Sequence, residues 1–477
     1  MRSESCCIRW RSTDSTDIST IGDTVSDEYD VIVLGGGPAG ENAAQYAVRG
    51  SDRTAAIVEP ELMGGECSYY ACMPSKAMLR PIDTVATAHH LGGIAPLPEV
   101  EVEGVLKRRD QWVHNYDDSS QAKWAEDLGI KVVRGHGVVT GDREVRITGP
   151  DGETCTLRAR LAVVDATGSE AVIPDEYATT MPWTSRDATG VRDIPGRLAI
   201  IGGGVVACEA AGWMSALGST VTMLVRDPRL LGRTEEFAGE LVADGLRDQG
   251  VEVRLGAQIT GVRREKPAAT GIGRVHGGPV TITVDGSEET FDEVLVAVGR
   301  RPHNNVELSG DDPDWLYRVG DASGEAPLTH WGKYRARIVG DEIAARAEGR
   351  APATPPRDVP VPQVIFTDPQ VAAVGMIASE ARDAGIEIRV VDVPLSSAAG
   401  TALVRDDVIG QARLLIRSDD DTIIGATFAG HEVAELVHGA TIAIVGKVPL
   451  DVLWHAVPSY PTASEIWLRL LEAARQT

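Results

Sequence analysis

Tyr29–Gly50 reads YDVIVLGGGPAGENAAQYAVRG, a strand, a glycine turn and a helix in immediate succession. Tyr29 to Leu34 is an apolar run of strand length, and the helical stretch continues to about Arg49. The spacing suits Gly35 to a tight turn, Gly37 to close approach of a pyrophosphate to the backbone, and Gly40 to packing of helix on strand. The helix N-terminus then faces the phosphates with its unpaired N–H groups. A second strand, Thr54 to Val58, ends in Glu59, whose carboxylate can accept hydrogen bonds from a ribose hydroxyl. A glycine turn alone also serves plain structural purposes. Strand, turn, helix and distal acid together predict dinucleotide binding.

The same design recurs at Arg197–Gly218, where LAII runs into Gly202, Gly203 and Gly204 and a helix through Glu209 and Trp213. Alanine at position 207 replaces the third glycine, which the helix-packing position tolerates. The distal acid is missing here. The strand Thr220 to Val225 ends in Arg226, with Arg229 and Arg233 close behind, and cations at this point suit a 2'-phosphate. NADPH is therefore read in preference to NADH, with a solvated surface turn as the plain alternative.

Directly after Glu59 comes GGECSYYACMPSK, Gly64 to Lys76, which sets Cys67 and Cys72 five positions apart. In a regular helix five residues rise roughly 7.5 Å, beyond a disulfide's reach, so a Cys67–Cys72 bond needs an irregular helix start. Gly64 and Gly65 are the expected source of that irregularity. A helix N-terminus and Lys76 would also stabilise a thiolate. Two buried, inert cysteines remain the other reading of the spacing.

The chain has 46 Lys and Arg against 70 Asp and Glu, a net charge of -24, which repels phosphate backbones and anionic lipid. Nucleic acid and membranes are not expected partners, and no apolar run approaches the roughly 18 residues of a spanning helix. No apolar signal core opens the chain, and six cysteines are too sparse for a secreted disulfide framework, so a cytoplasmic protein is expected. Residues 1–27, rich in Ser, Thr and Asp, read as a disordered tail. It carries Cys6 and Cys7, adjacent and poorly placed to chelate one ion, and no metal site is expected. Arg108 to Leu128 reads as helix and Ile130 to Val164 as strands, with turns at Gly141–Asp142 and Asp151–Gly152. Residues 351–362, APATPPRDVPVP, read as a linker. Beyond it, strands at Ala412 to Ile416 and Thr422 to Phe428 and a helix near Val433 to Ile444 predict a separate α+β domain.

Taken with Ala166-Thr167-Gly168, Val298-Gly299-Arg300-Arg301-Pro302, Val319-Gly320-Asp321 and Phe366-Thr367-Asp368-Pro369, these motifs make the chain resemble the class I flavoprotein disulfide reductases. That group includes lipoamide dehydrogenase, glutathione reductase and mycothione reductase, and the resemblance covers nearly everything after residue 28. It implies an α/β protein with two Rossmann-like dinucleotide-binding domains and a C-terminal α+β dimerisation domain. The implied boundaries are 28–190 and 301–356 for the two parts of an FAD-binding domain, 191–300 for an NAD(P)-binding domain, and 357–477 for dimerisation. The resemblance further implies FAD on the first unit, Asp321 on the ribityl chain, and Gly137 and Gly168 lining the FAD site. A pyridine nucleotide would occupy the second unit, with Glu209 beside the nicotinamide near Lys76. Cys67 would be the thiol that meets substrate and Cys72 the thiol against the flavin.

The resemblance also implies a homodimer in which a His-Pro-Thr-x-x-Glu segment completes the partner's active site. Here the segment is PSYPTASE, Pro458 to Glu465, so Tyr460 stands in the acid/base histidine's place while Glu465 remains. His455, flanked by apolar residues, reads as a packed residue more readily than as a substitute. Ala473 to Thr477 contains no cysteine, which speaks against a mercuric reductase or a thioredoxin reductase with a C-terminal redox tail. The activity expected is electron transfer from NAD(P)H through flavin and Cys67–Cys72 to a small disulfide, or dithiol oxidation in reverse. Reduction of a quinone or similar acceptor needs no histidine and is the alternative. A flavin-bearing redox sensor without turnover is the reading from another class.

Overall fold

The computed structural model describes residues 28–356 and 359–476, so the N-terminal tail with Cys6 and Cys7 lies outside the described residues. The chain divides into two compact units: 28–69, 113–170 and 300–355 form one, and 70–112, 171–299 and the described residues from 356 onward form the other.

The first unit is built on a seven-stranded sheet in the order Ile130–Arg134, Ala55–Glu59, Glu28–Leu34, Thr154–Asp165, Glu144–Thr148, His136–Gly141, with Leu316–Arg318 also paired to Thr154–Asp165. Val31, Ile32, Val33 and Leu34 are all buried, the continuous apolar run of a parallel strand covered on both faces. Pairing is parallel around that strand and antiparallel where Glu144–Thr148 joins its neighbours. The helix Pro38–Val48 follows at once. It sits tight on the sheet because Gly35, at φ +95, and Gly40 have no side chains: a Cβ at Gly35 would overlap the Ala166 carbonyl, and one at Gly40 the Gly35 carbonyl.

The second unit holds a parallel sheet in the order Glu252–Leu255, Thr220–Val225, Arg197–Ile201, Glu293–Val296. The helix Val205–Ala216 covers it with Ala207, Ala210, Ala211, Trp213 and Met214 buried. A three-stranded antiparallel sheet, Ile259–Arg264, Val280–Val284 and Ser287–Phe291, accompanies it. Beyond the Pro-rich stretch lies a five-stranded antiparallel sheet in the order Gln363–Ile365, Gln370–Gly375, Ile423–Gly430, Gly410–Arg417, Ile388–Pro394. Leu436–Val445 and Glu465–Ala474 are helices over this sheet, with the rings of Phe428 and Trp467 5.7 Å apart in the shared core. The α/β class with a C-terminal α+β domain is as the sequence implies.

The expected helix over Arg108–Leu128 is instead two helices, Val102–Trp112 and Ser119–Asp127. His114, Asn115 and Tyr116 between them have φ of 49, 52 and 62, outside the helical region. Asp118 anchors the far side of the break, accepting from Met63 N–H and Arg134, each at 2.6 Å. Neither contact is visible in a helical periodicity.

Candidate active site

Glu59 is buried at the end of its strand, and its two oxygens accept the N–H groups of Gly36 at 2.7 Å and Glu61 at 2.8 Å. Burial raises its pKa, and those two N–H bonds oppose the rise. The carboxylate thus braces the glycine turn. Gly37 caps the helix at φ −74, and a Cβ there would meet nothing nearer than the Gly65 Cα at 3.9 Å. Its lack of a side chain is therefore not demanded by protein packing. At Gly137, by contrast, a Cβ would lie 2.7 Å from Leu34 Cδ2, so that glycine is needed for the sheet itself. Gly168 has φ +79, and Asp321 accepts the Ser169 hydroxyl, which in turn receives Arg300 Nε at 2.8 Å.

Cys67 lies in the short helix Gly65–Tyr69, and Cys72 is the first residue of the helix Cys72–His89. The helix is irregular between Cys67 and Cys72, but not where the glycines predict it. It falls between the cysteines, at Ala71 with φ −138 and ψ −91. Gly64 and Gly65, at φ 106 and 58, serve the turn before them, where a Cβ on Gly65 would come within 2.8 Å of the Gly37 Cα. Both cysteines are half-buried, unlike Cys155 and Cys208, and burial raises the Cys208 pKa strongly.

One turn along that helix, Lys76 Nζ lies 2.7 Å from Glu209 Oε2. Glu209 is only 4% exposed, and its other oxygen accepts the Phe366 N–H at 2.9 Å. The Lys76 ammonium also stands 4.8 Å from the centroid of the Phe366 ring. The structure therefore joins two expected residues with a third, Phe366, whose motif is legible but whose backbone donor carries no side-chain signal. On the second glycine turn, Gly202 is tight against the Ala297 carbonyl, whereas a Cβ at Gly204 would face open space. Arg226 leaves the end of Thr220–Val225 with its side chain 87% exposed, 3.8 Å from Asp227. Arg229 is not available in the same way: its guanidinium donates to the carbonyls of Gly232 and Thr234 and closes the turn.

Residues 29–311 match the family described as pyridine nucleotide-disulphide oxidoreductase, and residues 361–470 match its dimerisation domain. The chain belongs to the pyridine nucleotide-disulphide oxidoreductase family. It is similar to the dihydrolipoyl dehydrogenase of Chlamydia muridarum, 27% identical over 93% of this chain and 96% of the relative. The dihydrolipoyl dehydrogenase of Bacillus subtilis is 28% identical over 91% and 96%. Among solved structures it shares its fold with the Cu(II) complex of RclA, a HOCl-induced flavoprotein disulfide reductase from Escherichia coli, at TM-score 0.79 and 22% identity over 93% and 99%. LpdA of Mycobacterium tuberculosis follows at TM-score 0.77 and 22% identity over 94% and 99%.

The chain is thus a flavoprotein oxidoreductase with a dimerisation domain, and the first glycine turn fits FAD: the space at Gly37, the helix N-terminus behind it and the braced carboxylate of Glu59 form the cradle. Among the described residues no helix is long and apolar enough to cross a membrane, and no group of three or more His, Cys, Asp or Glu is placed to hold a metal ion. In the oxidoreductase's C-terminal segment Tyr460 is 77% exposed. Glu465 is buried, with Ala399 N–H on one oxygen at 3.0 Å and Arg469 on the other at 2.6 Å. His455 is exposed on a turn, not packed as its apolar neighbours suggest, because Val452 and Val457 themselves face outward.

Proposed function

We propose that this oxidoreductase uses NADPH to reduce a small disulfide through a Cys67–Cys72 couple, or oxidises a dithiol in reverse. The observation that carries this is the helix interruption at Ala71, which separates the two cysteines' helices while leaving Cys72 and Lys76 on one helix with Glu209 beside Lys76. FAD, when bound, supplies the transfer of two electrons between a hydride donor and the cysteine pair. Gly35, Gly37, Gly40, Glu59 and Asp321 would hold it, with Gly137 and Gly168 at its borders. Gly202 and Gly204 would take the nucleotide's pyrophosphate, and Arg226 its 2'-phosphate. Glu209 keeps the Lys76 ammonium oriented.

In the forward direction the Cys67 thiolate attacks one sulfur of the substrate, releasing the first thiol and forming a mixed disulfide. The Cys72 thiolate then attacks Cys67, releasing the second thiol and closing the Cys67–Cys72 bond. One substrate disulfide and the two enzyme thiols give two product thiols and one enzyme disulfide. The domains are assigned as 28–190 with 301–356 for FAD, 191–300 for the nucleotide and 357–477 for dimerisation. The exposed Ile442, Val445, Val452, Val457 and Tyr460 support a second copy of the chain as the partner of that last domain. NADPH-driven turnover against a panel of disulfides, dithiols and quinones tests the reading. Turnover of at least one disulfide or dithiol is expected, and turnover confined to quinones counts against it.

A second reading, reduction of a quinone or similar acceptor, is favoured by Tyr460. A phenol is a poorer general acid and base near neutrality than an imidazole.

A further inference from the structure

The interruption between the cysteines redirects a backbone group. In a continuous helix the Tyr70 carbonyl would accept from residue 74, which is Pro74 and has no N–H. The Thr189 hydroxyl lies 2.8 Å from that carbonyl, the shortest of its three acceptors, the others being the carbonyls of Ser185 at 3.0 Å and Arg186 at 3.3 Å. Thr189 is buried at the end of the helix Ser185–Thr189. Its own carbonyl accepts from Arg109 at 2.7 Å, and the same buried guanidinium reaches the Val191 carbonyl at 3.0 Å. One turn earlier, the Arg186 guanidinium stands 4.5 Å from the centroid of the Tyr70 ring. The helix that carries both residues is itself fixed at its start by a capping box between Thr184 and Asp187, and Asp187 also accepts the Gly273 N–H at 3.1 Å.

We propose that Thr189 and Arg186 are positioning residues for the Cys67–Cys72 pair. They hold Tyr70, through its carbonyl and its ring, in the conformation that breaks the helix and allows the two sulfurs to bond. The assignment rests on the redox reading of the pair given above. Losing the hydroxyl removes a part-buried hydrogen bond from the segment between the two cysteines. Pro74 bars a continuous helix in any case, so removing the hydroxyl loosens the Tyr70 backbone without straightening it, and a less fixed segment disfavours the disulfide relative to the dithiol.

The test equilibrates the FAD-loaded protein with glutathione redox buffers, in which two enzyme thiols and one glutathione disulfide give the enzyme disulfide and two glutathione thiols. Acid quenching, alkylation and mass mapping then report the state of each cysteine. Thr189→Val should lower the oxidation equilibrium constant about three- to tenfold, the worth of one such hydrogen bond. Thr189→Ser should restore it to within about twofold. Arg186→Met, a variant independent of the buried hydroxyl, should lower it about two- to fivefold through loss of the cation–ring contact. An unchanged constant in both Thr189→Val and Arg186→Met overturns the positioning role and leaves the redox reading standing. Wild-type protein in which Cys67 and Cys72 never change state overturns both.

Discussion

Lys76 Nζ and Glu209 Oε2 meet at 2.7 Å across 133 positions of chain, and the second oxygen of Glu209 is held by the Phe366 N–H. A buried carboxylate with a cation on one oxygen and a backbone donor on the other is fixed in place, and it fixes the ammonium in turn. Lys76 is itself one helical turn from Cys72.

Lys76→Met removes the cation and leaves Glu209 buried with one donor. Because the lysine side chain is 35% exposed, solvent screens part of the pair, and a stability loss of about 1–2 kcal/mol is expected in urea unfolding. Reduction by NADPH should slow by at least about tenfold in stopped-flow, since the site loses its oriented charge.

Arg226→Glu should reverse the nucleotide preference. Among the described residues the guanidinium's ion-pair partner is Asp227, at 3.8 Å, and a carboxylate in its place repels a 2'-phosphate. The NADPH kcat/KM should fall about 10²-fold while that for NADH changes little. Equal constants for the two nucleotides in the wild type mean that Arg226 belongs to the surface alone.

Gly37→Ala separates fold from cofactor. Since the added methyl meets only Gly65 Cα at 3.9 Å and φ is −74, the protein should fold with its circular dichroism and melting temperature nearly unchanged. FAD affinity should fall at least about tenfold because the methyl stands where the pyrophosphate approaches.

Glu41, directly after Gly40, has its pKa pushed up from 4.5 to about 7 because burial disfavours its charge, and among the described residues its Oε1 has no hydrogen-bond partner. A folded pKa above the unfolded one means that the folded state binds its proton more tightly. The stability this contributes is full below about pH 4.5 and is lost as pH rises through about 7. Glu41→Gln does not titrate, so relative to wild type it should gain about 3 kcal/mol between pH 4 and pH 8 in urea unfolding. A constant difference across that range contradicts the shift.

Much of this is legible in the sequence because its signal is local. Each glycine turn follows its strand directly, and Glu59 lies within 20 positions of Gly40, so these signals can be read from short stretches of chain. The dimerisation sheet shows itself in alternating apolar residues such as Ala412, Leu414 and Ile416. What periodicity misses is set by distant partners. The helix break at His114–Tyr116 depends on Asp118 meeting Met63 and Arg134. Tyr70 is held by Thr189, 119 positions away, and Glu209 by the backbone of Phe366, 157 positions away. Arg229 reads as a phosphate ligand beside Arg226, but its carbonyl partners place it inside the turn.

Tyr460→His should raise disulfide reductase kcat/KM by about 10²-fold or more if a proton donor is what the segment lacks, whereas quinone reduction should not respond. His455→Ala should leave both activities unchanged. Disulfide reduction that collapses in His455→Ala would move the acid/base role to that exposed histidine.

The Cys67–Cys72 couple is tested most directly by anaerobic reduction of the FAD-loaded protein with NADPH in slight excess over two equivalents, followed by alkylation and mass mapping of every cysteine. Cys67 and Cys72, protected before reduction, should both become alkylated after it, while Cys155 and Cys208 remain unchanged. Flavin reduction with no new alkylation at Cys67 or Cys72 would contradict a redox role for the pair.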